Sequence, residues 1–219
     1  NGCTDTDTHT VSNPSFLYFD TNNQVVPATY PFASPNFVAP VATTSWFPGS
    51  HPFGTIFGDA ADPIRINGDV VIPAGAVIFM SDLHFEFGPN GRIVLLPQAV
   101  LSINGGVYTG DPNCKTMWQG IRARGSGGLF SSLGVNASNT TGQNARIEQA
   151  LIGVLTANVP VWDIQNINTQ LAALPFANQN FFADNNIGST LFSDIWTPAA
   201  FVSGNALVNI SDADFKNCF

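Results

Sequence analysis

Charge is what this sequence has least of. Only 10% of its 219 residues are Asp, Glu, Lys or Arg, and the seven Lys and Arg residues are scattered singly. At a formal charge of −8 there is no basic patch to neutralise phosphates, which argues against nucleic acid as a partner and against anionic membrane surfaces. Cysteine is scarce as well. Cys3, Cys114 and Cys218 show no Cys-x-x-Cys or Cys/His metal spacing, and an odd count permits at most one internal disulfide. No apolar run approaches the roughly 18 residues of a spanning helix, so membrane insertion is not expected. An initiator Met and a basic-then-apolar leader are missing too, and the chain reads as a processed form or a fragment. Its polar, Thr-rich start, NGCTDTDTHT, suits the mature end of an exported protein.

What is present favours strands and turns. Hydrophobic residues make up 44% of the chain, with 18 Phe, 20 Gly and 15 Pro. Disordered chains show the opposite balance, and helices want Glu, Lys, Leu and Arg instead. The length is enough to bury a proper core.

Two neighbouring stretches match at an offset of 23 residues: GDVVIPAGAVIFMSDLHF from Gly68 and GRIVLLPQAVLSINGGVY from Gly91. Val71 falls on Val94, Ile72 on Leu95, Ala76 on Ala99, Ile78 on Leu101, Met80 on Ile103 and Phe85 on Tyr108. Each unit holds short apolar runs separated by Pro, Gly or Asn, placed like successive strands. A period in the low twenties with several strands per unit predicts an all-β fold, a right-handed parallel β-helix in which one repeat is one coil. The matched residues should stack above one another. MWQGIRARG, ARIEQALIGVLT and NALVNISDADFKNCF each supply one further strand on this reading, with Arg122 and Arg124 alternating outward from Ile121 and Ala123.

Residues 1–60, rich in Pro and Phe, lack the repeat and are expected to form an extended N-terminal cap over the first coil. The solenoid then occupies 61–219, with a long excursion at about 156–203 that either folds back as a flap or carries its own coil. The chain stops at Phe219 just after a strand and corner, and continuation beyond it is expected.

At CKTMWQGIRARG, together with VVIPAGAVI, GRIVLLPQAVLSINGGVYT, ARIEQALIGV and DADFKNCF, the sequence resembles the right-handed β-helix region of large secreted or surface proteins of Bacteroidota exported by the type IX system. The likeness covers roughly residues 64–155 and 204–219, and its most specific part is the Cys-x-x-Met-Trp-x-Gly-Ile run. It implies an extracellular or cell-surface location and a solenoid architecture more strongly than any activity. Trp118 then anchors a corner, Gly120 permits the tight turn that follows, and Gly125 ends the strand; Gly75 and Cys114 are taken as scaffold residues as well.

The best candidate for chemistry is SDLHFEF, where Asp82, His84 and Glu86 share one strand face and Leu83, Phe85 and Phe87 the other. Two carboxylates and an imidazole could bind a metal or move protons, while the plainer alternative is a solvated face whose acids pair with Arg122 or Arg124. Asp212 and Asp214 form a second acidic pair of the kind that β-helix glycosidases use as acid and base, although Asp also favours turns. His9, His51 and His84 lie far from any marked nucleophile, and INGGVYTG precedes neither a helix nor a Lys. Trp162, Phe181, Phe182 and Trp196 could present a glycan-stacking or protein-binding surface, or pack the excursion onto the solenoid.

The leading expectation is a non-catalytic extracellular structural or adhesive segment without a cofactor, acting as a rigid spacer, surface adhesin or appendage subunit. Its partners would be copies of itself, other surface proteins or glycans. Two alternatives stay open: a polysaccharide lyase or glycoside hydrolase on a β-helix, and a carbohydrate-binding module.

Overall fold

Apolar runs of three to five residues are too short to sustain a helix, and the chain forms strands from them. The computed structural model describes residues 16–28, 36–112, 117–123 and 130–156, and beyond these the backbone of five strands within 182–216. Among the described residues there is no helix. A short antiparallel hairpin, β1 (Tyr18–Phe19) with β2 (Val25–Val26), precedes three separate six-stranded sheets that are parallel throughout.

The first sheet takes β3 (Phe37–Val38), β6 (Asp69–Ile72), β9 (Arg92–Leu95), β12 (Ile121–Ala123), β15 (Ile152–Thr156) and β18 (Thr197–Phe201). The second takes β4 (Thr43–Trp46), β7 (Val77–Ser81), β10 (Val100–Asn104), β13 (Phe130–Asn136), β16 (Phe182–Ile187) and β19 (Leu207–Ile210). The third takes β5 (Ile64–Ile66), β8 (His84–Phe87), β11 (Val107–Gly110), β14 (Ala145–Glu148), β17 (Thr190–Ser193) and β20 (Asp214–Lys216). The chain thus visits the three sheets in fixed rotation, an order compatible with the solenoid expected from the repeat.

Register confirms the 23-residue match residue by residue. Ile72 lies beside Leu95, Val71 beside Val94, Ile78 beside Leu101, Met80 beside Ile103 and Phe85 beside Tyr108. In β7, Ile78 and Met80 point inward and are fully buried, while Val77, Phe79 and Ser81 face out. Each such buried side chain contributes about 1.5–3 kcal/mol by leaving water. The corner joining the first and second sheets also repeats. Ala76 N–H donates to Pro73 O at 3.1 Å and Ala99 N–H to Leu96 O at 3.0 Å, with Gly75 (φ +81°) and Gln98 (φ +69°) at the third position of each turn. A type II turn needs that left-handed residue.

Later rounds depart from the expected strand count. ARIEQALIGVLT supplies two strands, β14 and β15, because Gln149 (φ +52°) turns the chain between sheets. NALVNISDADFKNCF likewise supplies β19 and β20. The interval expected as an excursion places β16, β17 and β18 in all three sheets, a round of its own. Spacing then returns to 23: Asn185 pairs with Val208 and Phe192 with Phe215.

The sheets begin inside the stretch read as a cap, since β3 and β4 already belong to them. Above that first round Leu17 adds a parallel bridge to Ile66 and donates its N–H to Arg65 O at 2.8 Å. Aromatic rings fill the end. Phe37 lies 5.2 Å from Phe19 and 4.9 Å from Phe53, and Phe53 in turn meets Trp46 at 5.5 Å and Phe85 at 5.4 Å.

Candidate functional site

Strand alternation decides what the third sheet shows to the outside. In β5 Ile64 and Ile66 enter the core and Arg65 faces out; in β8 Phe85 is inward and His84 is outward; in β14 Ala145 and Ile147 are inward and Arg146 is outward. Parallel register then builds two rows across the sheet that carry its outward polar groups. Arg65, Glu86 and Thr109 form one, and His84, Val107 and Arg146 the other.

The charges in these rows are paired. Arg65 Nε donates to Glu86 Oε2 at 2.7 Å, and Arg146 Nε donates to Glu148 Oε1 at 2.8 Å. His84 Nε2 stands 3.9 Å from Glu86 Oε1, too long for a hydrogen bond, and its Nδ1 is buried with no partner among the described residues. Burial holds the His84 pKa below its ordinary value, aided by the Arg146 and Arg65 cations and opposed by Glu86 and Glu148. The ring is neutral near pH 7 on this account. Thr109 Oγ1 donates to Gln149 Oε1 at 3.3 Å beside the same face.

Asp82 does not join this face. Its φ is +54°, so it turns the corner ahead of β8 instead of alternating within the strand, and Oδ2 accepts the Ser138 hydroxyl at 2.9 Å. Glu86 is bound by Arg65; pairing with Arg122 or Arg124 was the alternative the sequence left open. Arg122 itself overturns the expectation that it points to solvent. It is 1% exposed, set between buried Val94 and Leu155 in the register of the first sheet, with Nη1 3.4 Å from Ile152 O. Period two names the face a residue occupies, and here that face is covered.

Of the scaffold residues, Trp118 is fully buried, stacks on Phe87 at 4.4 Å and donates Nε1–H to Glu148 O at 2.8 Å. Gly120 has φ +78° directly ahead of β12. Asp214 opens β20 beside Leu191, and Phe182 opens β16 beside Phe130, both as backbone register. Asp212, Trp162, Phe181, Trp196, Arg124, Gly125, Cys114, Cys3 and Cys218 lie outside the described residues.

Chemically, the outer face of the third sheet offers arginine-paired carboxylates and one neutral imidazole. No group of three His, Cys, Asp or Glu side chains among the described residues is arranged to hold a metal ion. A depression of about 370 Å³ does exist at the cap, lined by Asn23, Gln24, Val25, Pro52, Gly54 and Thr55, and it contains no carboxylate. Another paired set, missed in the sequence, is Asp69 with Arg92, joined by two contacts from Nε and Nη2 at 2.5 and 3.0 Å. The repeat itself carried that signal, because an offset of 23 lays Asp69 against Arg92. Among the described residues no helix is long and apolar enough to cross a membrane. Comparison with protein-family models, with curated proteins and with solved structures found no match, so the reading of this face rests on its residues and their geometry.

Proposed function

We propose that the chain is a right-handed parallel β-helix serving as a non-catalytic structural or adhesive segment of an extracellular or cell-surface protein. The observation that supports this most directly is the use made of the outward acids. Glu86, Asp69 and Glu148 are each bound by an arginine, and Asp82 is bound by a serine hydroxyl that links two corners. Two of those ion pairs run between neighbouring strands, Arg65 with Glu86 in the third sheet and Arg92 with Asp69 in the first. A general acid or base has to be free to exchange a proton with substrate, and the carboxylates of Glu86 and Asp69 are spent on joining rounds, that of Glu148 on Arg146 within its own strand.

Mechanism on this reading is mechanical. Three parallel sheets share one dry core, so bending would pull apart buried stacks and strand pairing together, and length is gained by adding rounds. The resemblance to type IX cargo of Bacteroidota supports the extracellular setting. Contact would be made by broad, weakly charged faces to copies of the chain, to other surface proteins or to glycans. The test is to incubate the protein with neutral and acidic polysaccharides while following release of reducing ends and unsaturated uronate. Sedimentation over a concentration series runs beside it. Concentration-dependent assembly or glycan retention without cleavage is expected, and reproducible cleavage abolished by Glu86→Gln overturns the proposal.

A further inference from the structure

We propose that His51 is a proton-sensitive latch on loop 47–62, holding the cap closed as a neutral ring and loosening it when protonated. Loop 47–62 connects β4 to β5 and carries Phe53, the ring that closes the aromatic end of the core against Phe19, Phe37, Trp46 and Phe85. His51 spans the inside of this loop. Phe53 N–H meets Nδ1 at 3.3 Å, and Nε2 meets Phe57 O at 3.1 Å. A backbone N–H can only donate and a carbonyl can only accept, so the two contacts together require a lone pair on Nδ1 and a proton on Nε2. That is the neutral Nε2–H tautomer. Adding a proton at Nδ1 turns the Phe53 contact into two opposed N–H groups, at the residue that plugs the core.

The surroundings favour the neutral ring. Burial lowers the His51 pKa from 6.5 and is the largest influence; the Phe57 carbonyl and the Asp62 carboxylate oppose it. Asp62 is the ionisable group acting on this imidazole, and it is engaged in turn with Phe57 N–H at 2.8 Å. Asp59 caps the same loop through Ala61 and Asp62 N–H, both at 2.9 Å. On the β8 side the neighbours carry no charge: Gly58 packs between His51 and Leu83, and Gly58 O accepts His84 N–H at 2.8 Å. A site that favours the neutral ring loses stability as pH falls below the free value of 6.5, so the latch weakens on acidification.

The experiment is hydrogen exchange on the full chain at about pH 7.5 and about pH 5, corrected for intrinsic rates, with imidazole ¹⁵N spectra across the same range. Protection of loop 47–62 should fall about tenfold at the lower pH while β7 and β10 keep theirs, and His51→Gln should remove the difference. The spectra should show an Nε2–H ring titrating below the ordinary value. They need no variant, so they decide even where His51→Gln fails to fold. An Nδ1–H tautomer, a titration at or above the ordinary value, or loop protection indifferent to pH each overturns the proposal.

Discussion

Gly120 lies against the carbonyl oxygen of Ile152 so closely that a Cβ on Gly120 would overlap it. The same residue has φ +78°, so an L side chain there meets both a backbone penalty and a fixed obstacle. The obstacle is backbone in a neighbouring round and cannot rotate away. Gly120→Ala should therefore cost about 3–5 kcal/mol in urea denaturation. Gly142→Ala is the control: φ is +69°, but nothing lies within 4 Å, so about 1 kcal/mol is expected. Equal losses at the two positions would mean that Gly120 matters for its φ alone.

Gln98 occupies the left-handed position that Gly75 holds one round earlier. A non-glycine residue there costs about 1–2 kcal/mol in the folded state, and glycine returns part of that as unfolded-chain entropy. Gln98→Gly should raise stability by about 0.5 kcal/mol, read as a higher melting temperature. The reverse exchange, Gly75→Gln, should lower it, since a Cβ there also meets Val41 Cγ1 at 3.4 Å.

The repeat was legible because adjacent rounds of equal length put chemically alike residues into register, as Ile72 with Leu95 and Ile78 with Leu101 do. The partner of Glu86 was not. Arg65 precedes it by 21 residues instead of 23, because the corner between β5 and β6, residues 67–68, is two residues shorter than the corner between β8 and β9, residues 88–91. Arg122 shows a second limit. Alternation put it opposite the core-facing Ile121, but whether the opposite side meets water depends on distant chain. His51 was invisible for a third reason: its two partners are backbone groups, which every residue type carries equally.

The Arg65–Glu86 pair should hold the first two rounds of the third sheet together. Glu86 has a side chain only 10% exposed, so removing the Arg65 guanidinium strands a largely desolvated carboxylate; Arg65 itself is 31% exposed, which moderates the loss. Arg65→Ala should cost about 1–2 kcal/mol, and a double-mutant cycle with Glu86→Ala should give a coupling of about 1 kcal/mol that shrinks with added salt. A coupling indistinguishable from zero would make the pair incidental to stability.

His84 gives the molecule a second pH dependence, separable from that of the cap. Its pKa is held below 6.5 by burial, with Arg146 and Arg65 adding to the effect and Glu86 and Glu148 opposing it. The unfolded chain therefore binds this proton more readily than the folded one. Stability from the neutral ring is complete above the free value of 6.5 and is lost as pH falls from there toward the lower folded value, with no further loss beneath it. Denaturation of wild type and His84→Gln across that window should show wild type losing more on acidification, with the two profiles parallel in the neutral range. Because His51 stays in both proteins, the difference isolates His84. A wild type that gained on His84→Gln as pH fell would mean that Glu86 and Glu148 outweigh burial, and the face would then be an acid-strengthened clamp.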